Sequence, residues 1–359
     1  MMRIHPQESI FYIAYPLLPV SDESCGGAEQ ILWALEQEMA VRRHKTAVAA
    51  CESSSVRGEL LATGRRPVGN DMFEEREAQH RRKVLELARQ RDFSIIHDHS
   101  GNFWPHAREV DVPVLATLHL PRNFYDERMF HALPQNVYFN CVSDTQAASF
   151  RDIPRMIGVV QNGIAVERFQ FERRKSEYLL WLGRICPEKA PHLAIEAAKR
   201  AGMKLVLAGQ VYPFSYHKMY FEKEVKPLLE ARDSNVVFVE LPTFEEKHEL
   251  LRCAKALLVT SLAAETSSLV ALEAGACGTP VVAFRSGALP EIVEHGHSGF
   301  TVRTLSEMAA AIHDVNEIWP DECRHRVEVK FSAKAMADGY EALCAAVTSE
   351  SRESRALAA

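Results

Sequence analysis

The segment ALLVTSLAAETSSLVALEAGACGTPVVAF, from Ala256 to Phe284, indicates the fold class most clearly. It opens with the apolar run ALLVTS, crosses a more polar loop, continues as the helix-like SSLVALEAGAC and ends in the valine-rich TPVVAF. A strand, a helix and a second strand in this order form a βαβ unit, and the two strands of such a unit are parallel. The stretch therefore predicts a parallel sheet covered by helices.

The same alternation extends over the rest of the chain. In the first half the strand candidates are IFYIAY, TAVAAC, SIIHDH, PVLATLH, VYFNCVS and MIGVVQN, and the helix candidates include GGAEQILWALEQEMAVRR and FEEREAQHRRKVLELARQR. In the second half the strand candidates are EYLLWLG, MKLVLAG, VVFVE, ALLVTS, TPVVAF and GFTV, and the helix candidates include KAPHLAIEAAKRAG, FEEKHELLRCA and SSLVALEAGAC. Two such sets predict an α/β protein of two doubly wound domains.

The domain boundary is predicted at the turn that Asn162-Gly163 supplies in QNGIAVERF. The first domain then covers residues 1–163 and the second covers residues 164–330. The polar end of the chain, residues 348–359, is expected to be a flexible tail. Open parallel sheets bind ligands at the carboxyl ends of their strands, next to helix N-termini. The ligand site is therefore expected in a cleft between the two sheets.

Composition excludes several classes of protein. The 359 residues are 47% hydrophobic and 25% charged, and a formal net charge of −6 argues against a nucleic-acid binder. The eight cysteines are scattered without a CxxC pair, which favours a reducing, cytoplasmic setting. The apolar run from Ile10 to Val20 is about half as long as a membrane span and is interrupted by prolines. HRRKVLELARQR favours an ordinary exposed helix, although a peripheral membrane contact stays open.

Two glutamates are the first candidate binding residues. Glu265 falls in the loop that follows the strand ALLVTS, and Glu273 falls about one and a half turns inside the next helix. A carboxylate in the loop can accept hydrogen bonds from sugar hydroxyls, and one deeper in the helix can bind the diol of a ribose. Ser267 or Ser268 is a candidate cap for that helix, whose N-terminus favours phosphate charge. The alternative is a surface helix with two solvated glutamates, which the apolar residues between them disfavour.

Two further motifs suggest anion binding. Gly26 and Gly27 precede an amphipathic helix, where paired glycines let backbone N–H groups approach an anion, although a simple tight turn explains them equally well. Arg184 and Lys189 lie on the loop that follows the strand EYLLWLG. Two cations at a strand end, followed by a helix N-terminus, suit a diphosphate. A solvated surface pair, with Glu188 as a local partner, is the alternative.

Histidines supply the last candidates. His119 ends the strand PVLATLH and is expected either at the ligand site or as a hydrogen-bonded structural residue. His97, Asp98 and His99 resemble a metal site, but successive strand residues point to opposite faces, so Asp98 is not expected to join the two histidines. No other cysteine or histidine cluster completes a ligand set in the sequence. The prediction is therefore no metal at this stretch and a histidine that lines the acceptor site.

Six motifs in this order resemble those of the family 4 retaining glycosyltransferases of GT-B fold. They are GGAEQ, VVQNGIAVERF, GRICPEK, the Glu-x7-Glu pattern followed by AGACGTPVV, GALPEIVEHGHSGF and FSAKAMADGYEAL. The resemblance covers nearly the whole chain. It implies two Rossmann-like domains whose parallel sheets face a central cleft, with the acceptor on the first domain and the nucleotide-sugar donor on the second. It also implies a closing helix, residues 331–347, that returns to the first domain.

The resemblance implies a role for each candidate residue. Arg184 and Lys189 would hold the diphosphate, Glu265 the sugar hydroxyls and Glu273 the ribose. Gly27, with Gly26 beside it, would close over the phosphate or sugar from a loop of the first domain, and His119 would lie near the reacting sugar. Donor contacts are also implied for the segment between the two glutamates, at Thr266, Ser267, Ser268 and Leu269. Ser267 and Ser268 replace an aromatic or small residue and a glycine that are usual in the family, which affects sugar preference.

The resulting functional prediction is transfer of a sugar to an acceptor hydroxyl with retention of configuration and without a metal or other cofactor. A UDP-sugar is the first choice of donor and GDP-mannose the second, and the acceptor is a glycan, a lipid or a small molecule. One alternative is a nucleotide-sugar epimerase of the same fold, which needs an additional carboxylate or histidine cluster. Another is a nucleotide-sugar sensor, which is expected to have lost Arg184, Lys189 or Glu265, whereas all three are present.

Overall fold

The computed structural model describes residues 7–65 and 73–358, with side chains described as far as residue 353. The chain divides into two compact units, the first formed by Met1–Gly163 together with Ala333–Ala359 and the second by Ile164–Ser332. Each unit is an α/β structure built on one parallel sheet, which confirms the fold class that the alternating pattern predicts.

In the first unit seven described strands form a parallel sheet in the order β3-β2-β1-β4-β5-β6-β7. These strands are β1 Ser9–Ile13, β2 Lys45–Ala50, β3 Glu59–Ala62, β4 Ile95–Asp98, β5 Val114–Leu118, β6 Val137–Cys141 and β7 Met156–Val159. The α-helices between them are α1 Gly27–Val41, α2 Phe73–Gln90 and α3 Asp144–Ala147. Strands β1, β4, β5 and β6 are almost wholly buried, as expected for strands covered by helices on both faces.

The second unit repeats this architecture with six described strands in the order β10-β9-β8-β11-β12-β13. The strands are β8 Tyr178–Arg184, β9 Lys204–Gln210, β10 Val236–Glu240, β11 Ala256–Val259, β12 Val281–Phe284 and β13 Gly299–Val302. The helices are α4 Pro191–Arg200, α5 Ser215–Tyr220, α6 Lys226–Leu229, α7 Phe244–Cys253, α8 Leu269–Ala276, α9 Leu289–Ile292, α10 Leu305–Asp314 and α11 Pro320–Lys330. A π-helical turn, Phe221–Val225, joins α5 to α6.

In both sheets the order in which strands are added reverses at one point. In the first the chain builds outward from β1 and then crosses to place β4 on the other side of β1; in the second it does the same with β8 and β11. The loops that follow such a pair of strands run to opposite sides of the sheet and leave a crevice at its carboxyl edge, where α/β proteins bind ligands. In the second unit the two loops that diverge here contain Lys189 and Glu265.

Two details of the sequence prediction were wrong. Strand β3 was not predicted, because Glu59–Ala62 is a short edge strand with only one buried residue and therefore lacks an apolar run. The last helix, α12 Ala333–Ala358, begins two residues later than expected and continues through most of the segment predicted to be a flexible tail. That segment, SESRESRALA, contains good helix formers and no glycine or proline, so nothing in it ends the helix. Phe331 packs instead in the core of the second unit.

All eight cysteines are free thiols. Among the described residues, no helix combines the length and the apolar composition that crossing a bilayer requires.

A buried carboxylate fastens α1 to the edge of the first sheet. Glu36 is fully buried, and its Oε1 accepts hydrogen bonds from the Thr46 hydroxyl at 2.7 Å and the Gly58 N–H at 2.8 Å. Its Oε2 accepts from the Arg57 N–H at 2.9 Å. These donors offset the desolvation of the carboxylate and order the segment that leads into β3.

Replacing Glu36 should destabilise the first unit strongly. We expect Glu36→Ala to lower the free energy of unfolding by about 3 kcal/mol or more, because each hydrogen bond to a charged group contributes roughly 1.5–3 kcal/mol. Urea unfolding measures the difference. The matched control is Glu59→Ala, which removes an exposed ion pair with Arg91 and should cost about 1 kcal/mol or less. Equal losses for the two variants would contradict this role of Glu36.

Candidate functional site

The turn between β8 and α4 holds the two predicted phosphate-binding cations. Arg184 is the last residue of β8, and Lys189 lies five residues further on, just before α4. The Cys186 carbonyl accepts hydrogen bonds from the Lys189 N–H at 3.2 Å and the Ala190 N–H at 3.1 Å, which closes the turn. The hydroxyl of Thr260, at the end of β11, lies 2.9 Å from the carbonyl oxygens of both Lys189 and Ala190. The backbone of Lys189 is therefore fixed by the neighbouring strand.

The side chain of Lys189 forms an ion pair with Glu265. The Lys189 ammonium and the Ser261 hydroxyl both donate to Oε1 of Glu265. The Lys189 side chain is 31% exposed and that of Glu265 only 11%. Glu188 was expected to be a partner of one of the cations. Lys189 pairs with Glu265 instead. Arg184 interacts electrostatically with Glu188, and its guanidinium lies 5.8 Å from the ring centre of Tyr212.

A glycine in the GALPE motif supports the Glu265 backbone. Gly287 has a φ of +54°, and a Cβ there would lie only 2.1 Å from the Glu265 carbonyl oxygen. The loop can therefore approach closely enough for the Ala288 N–H to donate to that carbonyl at 2.7 Å. The Ser286 hydroxyl donates to the Ala263 carbonyl at 2.7 Å. Residues 286–288 thus hold the loop that positions the Glu265 carboxylate.

Glu273 lies inside α8 and pairs with a different lysine. Its Oε1 accepts from the Lys247 ammonium of α7 at 2.5 Å, and its side chain is 5% exposed. Neither Glu265 nor Glu273 is a solvated surface group, so that alternative is wrong. Ser268 occupies the N-cap position of α8, but its side chain makes no capping hydrogen bond. The predicted serine cap is absent at Ser268, and the helix N-terminus keeps N–H groups that this side chain does not satisfy.

The paired glycines of the first unit lie at the start of α1. Gly26 is the N-cap residue, and Gly27 is the first residue of the helix rather than part of the preceding loop. A Cβ on Gly26 would lie 1.9 Å from Oε2 of Glu29 and 2.8 Å from Cδ1 of Leu18, so a larger residue there would displace these two side-chain ends. Glu29 itself is buried, and burial raises its pKa to about 7.

The predicted histidines lie together at the carboxyl edge of the first sheet. His119, which follows β5, shares a hydrogen bond with His99 between its Nε2 and the Nδ1 of His99 at 2.9 Å. His97 and His99 lie on the same side, with ring centres 4.1 Å apart. Asp98 lies apart from them and accepts hydrogen bonds from the N–H groups of Ser100 and Trp104 at 2.8 and 2.9 Å. The alternation expected for this strand is therefore present.

Burial keeps these imidazoles neutral. It lowers the pKa of His119 to about 4 and, together with the repulsion that a protonated His119 would exert, lowers the pKa of His97 to about 3. The pKa of His99 is lowered as well, chiefly by burial. A neutral His119 can donate or accept a hydrogen bond at pH 7 but carries no positive charge.

Two family models match the chain over consecutive segments. A model described as glycosyltransferase family 4 matches residues 25–168, and a model described as glycosyl transferases group 1 matches residues 164–335. The chain belongs to the family 4 glycosyltransferases. The first model ends close to the boundary between the two structural units, so each unit of this glycosyltransferase chain corresponds to one model.

Curated relatives of this family 4 chain match it in part. A lipopolysaccharide 1,2-N-acetylglucosaminetransferase of Salmonella typhimurium is 25% identical over 66% of this chain and 60% of its own length. A D-inositol 3-phosphate glycosyltransferase of Mycobacteroides abscessus is 32% identical over 42% of this chain and 36% of its own. The matched region thus spans between about a third and three fifths of these relatives.

A solved structure shares the fold. The Anabaena protein Alr3699/HepE, solved in complex with UDP-glucose, has a TM-score of 0.72 and is 16% identical, with 97% of this chain and all of that chain covered. Likeness at this level of identity concerns the fold, which is GT-B, as the motifs implied.

The sequence did not predict the residues that orient the side chains of the candidate site. Ser261, Thr260 and Lys247 hold Lys189, Glu265 and Glu273 in place, yet none belongs to a motif that names it. A weak signal existed for Thr260 and Ser261, since both are polar residues at the carboxyl end of an apolar strand. Lys247 lies on an amphipathic helix that has several charged residues, and nothing distinguishes it there.

Glu29 should make stability depend on pH. An acid whose pKa rises from 4.5 to about 7 on folding binds its proton more tightly in the folded state, so stability falls as pH rises through that window. The shift corresponds to about 3 kcal/mol. Glu29→Gln should therefore be more stable than the wild type at pH 8 and differ least at pH 5, as measured by urea unfolding. Glu23→Gln, an exposed neighbour, should retain the wild-type pH profile, and a Glu29→Gln profile parallel to the wild type would refute the assignment.

Proposed function

We propose that the protein is a retaining glycosyltransferase that moves a hexose from a nucleotide diphosphate sugar to an acceptor hydroxyl. The donor would bind the second unit and the acceptor the first. A UDP-sugar is the preferred donor, which the UDP-glucose complex of the structurally similar HepE supports, and GDP-mannose is the second choice. The names of the curated relatives, an N-acetylglucosaminetransferase and a glycosyltransferase, support the reaction class.

The observation that carries this proposal is the meeting of Lys189 and Glu265 at the switch point of the second sheet. Their loops follow β8 and β11, the strands between which ligands bind in this type of sheet. Before the donor arrives, the Lys189 ammonium is neutralised by Glu265. A diphosphate would offer it a second anionic partner, and Arg184, on the same turn, would supply further positive charge.

Charge development explains why these groups would catalyse transfer. The diphosphate gains negative charge as the bond to the sugar breaks. Arg184, Lys189 and the N-terminus of α8, with the backbone of residues 266–269, would stabilise this charge electrostatically. These groups take the place of a magnesium or manganese ion on the diphosphate, so we propose that the reaction needs neither.

The remaining residues would orient the sugars. Glu265 would accept hydrogen bonds from hydroxyls of the donor sugar, and Glu273 would accept them from the ribose. His119, neutral at pH 7, would hydrogen-bond to the reacting sugar. The acceptor hydroxyl would attack from the face that the diphosphate leaves, and its proton would pass to a phosphate oxygen of the departing group. This same-face displacement accounts for retention without a covalent intermediate.

Removing the charge of Glu265 and removing that of Glu273 should have different effects on turnover and on nucleotide affinity. Glu265→Gln should lower turnover ten- to hundredfold or more, since hydrogen bonds to charged groups contribute roughly 1.5–3 kcal/mol each. Its affinity for a bare nucleoside diphosphate should be unchanged or higher, because Lys189 is released from its ion pair. Glu273→Gln, in contrast, should lower the affinity for the bare nucleoside diphosphate, because that ligand still contains the ribose. Calorimetric titration and a product assay measure the two effects.

A matched variant separates binding from folding. Lys247→Met breaks the same ion pair as Glu273→Gln but keeps the carboxylate, so both should lower the melting temperature while only Glu273→Gln loses most of its nucleotide affinity. If the two variants bind nucleotide equally well, Glu273 has a structural role alone. Loss of nucleotide binding in Glu265→Gln, with none in Glu273→Gln, would reverse the assignment. Conversion of the donor without release of nucleoside diphosphate would favour an epimerase.

A further inference from the structure

We propose that Cys186, Glu188 and His217 form a zinc site in the second unit. One ligand atom from each side chain, the thiol sulfur, a carboxylate oxygen and a ring nitrogen, lies within 4.8 Å of the other two. This is the one group of three or more such side chains found among the described residues, 7–65 and 73–358. Sulfur, nitrogen and oxygen ligands in this combination are those that zinc prefers.

The second observation is that His217 is buried without a partner. Its exposed fraction is 0%, and neither of its ring nitrogens has a hydrogen-bond partner. A buried polar group that makes no hydrogen bond carries a desolvation cost, and native structures contain few of them. A metal bound to one ring nitrogen would offset that cost.

The backbone around the three ligands is already ordered. Cys186 accepts the two hydrogen bonds that close the turn between β8 and α4, and the Glu188 carbonyl accepts from the Leu262 N–H at 2.8 Å. His217 lies on α5, whose Tyr220 hydroxyl hydrogen-bonds to Nδ1 of His192 in α4 at 2.5 Å. The ring of His217 packs against Tyr216, with centres 4.2 Å apart. Each ligand is therefore held by its own segment before a metal binds.

The coordination chemistry balances. Zinc binds sulfur at about 2.3 Å and nitrogen or oxygen at about 2.0–2.2 Å, so small side-chain movements would bring the ligand atoms to tetrahedral distances. Cys186 would bind as a thiolate and release its proton to water. The thiolate and the Glu188 carboxylate supply two negative charges for the two positive charges of the ion. That neutral total lessens its repulsion by the nearby Arg184, and a water molecule would complete the four ligands.

Without a metal, the Cys186 thiol and the Glu188 carboxylate form a hydrogen bond. Burial and the neighbouring Glu188 carboxylate raise the pKa of the Cys186 thiol, which favours the protonated form. This alternative leaves both nitrogens of His217 unsatisfied, whereas the metal uses one of them. The proposed zinc would link the turn that positions Arg184 and Lys189 to α5. It would stiffen the donor-side loops through side chains other than those proposed to bind the diphosphate.

Cobalt provides a direct test, because Co²⁺ occupies zinc sites and a cobalt–thiolate bond absorbs in the near ultraviolet. The full-length protein, stripped of metal under reducing conditions, should bind one Co²⁺ per chain with this absorption and with tetrahedral visible bands, and Zn²⁺ should abolish both. Cys186→Ser should lose the near-ultraviolet band. His217→Ala should lower the affinity for Co²⁺ at least tenfold. Zn²⁺ should raise the melting temperature of the wild type but not that of Cys186→Ser or His217→Ala.

Cys253→Ser is the matched control. The Cys253 sulfur lies 3.1 Å from Oε1 of Glu249, but this pair belongs to no group of three such ligands in the described part of the chain. The control should bind Co²⁺ as the wild type does.

Absence of the thiolate band in the wild type, or a band of the same size in Cys186→Ser, would overturn the proposal. If metal-free Cys186→Ser and His217→Ala melt close to the metal-free wild type, their loss of Co²⁺ binding is due to the missing ligand and not to misfolding. A much lower melting temperature for Cys186→Ser, with Zn²⁺ still raising it as in the wild type, would also count against the site. None of these measurements requires a nucleotide sugar.

Discussion

The ion pair between Lys189 and Glu265 is the contact on which the candidate site depends. It exists because the strand order of the second sheet reverses between the parallel neighbours β8 and β11, and the loops after these two strands lie at the same edge. Thr260 holds the backbone of Lys189, and Ser261 donates to the carboxylate of Glu265. Gly287, in the loop after β12, lets that loop pack against the Glu265 backbone. Lys189 remains about a third exposed, so its charge is paired yet still accessible to a ligand.

Four buried or nearly buried glutamates illustrate how environment assigns a role to the same side chain. Glu36 accepts hydrogen bonds from backbone and hydroxyl donors and serves the fold. Glu265 and Glu273 each pair with a lysine, and each pair joins two elements of the second unit. Glu29 makes no ion pair of this kind in the described residues, and its pKa rises because burial penalises the charged form. Residue type alone does not distinguish these cases, whereas the neighbours of each carboxylate do.

The proposed zinc site and the proposed donor site share one turn but use different atoms of it. The turn would present Arg184 and Lys189 to the proposed donor, while Cys186 and Glu188, between them in sequence, lie near His217. The Glu188 carbonyl also bonds to the Leu262 N–H, three residues before Glu265. A metal at the cluster would therefore restrict the backbone that positions both charges of the central ion pair. This gives the short segment from Arg184 to Ala190 a structural role beyond its two cations.

The fold class and most of the helices and strands could be predicted from the amino-acid sequence. Apolar runs and helical spacing are local properties, so they predicted twelve of the thirteen described strands and missed only the short edge strand Glu59–Ala62. The order of the motifs likewise indicated the family, and the two cations and two glutamates were found as polar residues at strand ends and in the helix that follows. What the sequence could not supply was the partner of each charge. Lys189 pairs with a residue 76 positions away, and Lys247 with one 26 positions away, because the crossovers of a parallel sheet bring distant loops together. The cluster of Cys186, Glu188 and His217 arises in the same way, from the packing of α5 beside the turn after β8, and only the tertiary structure decides such contacts.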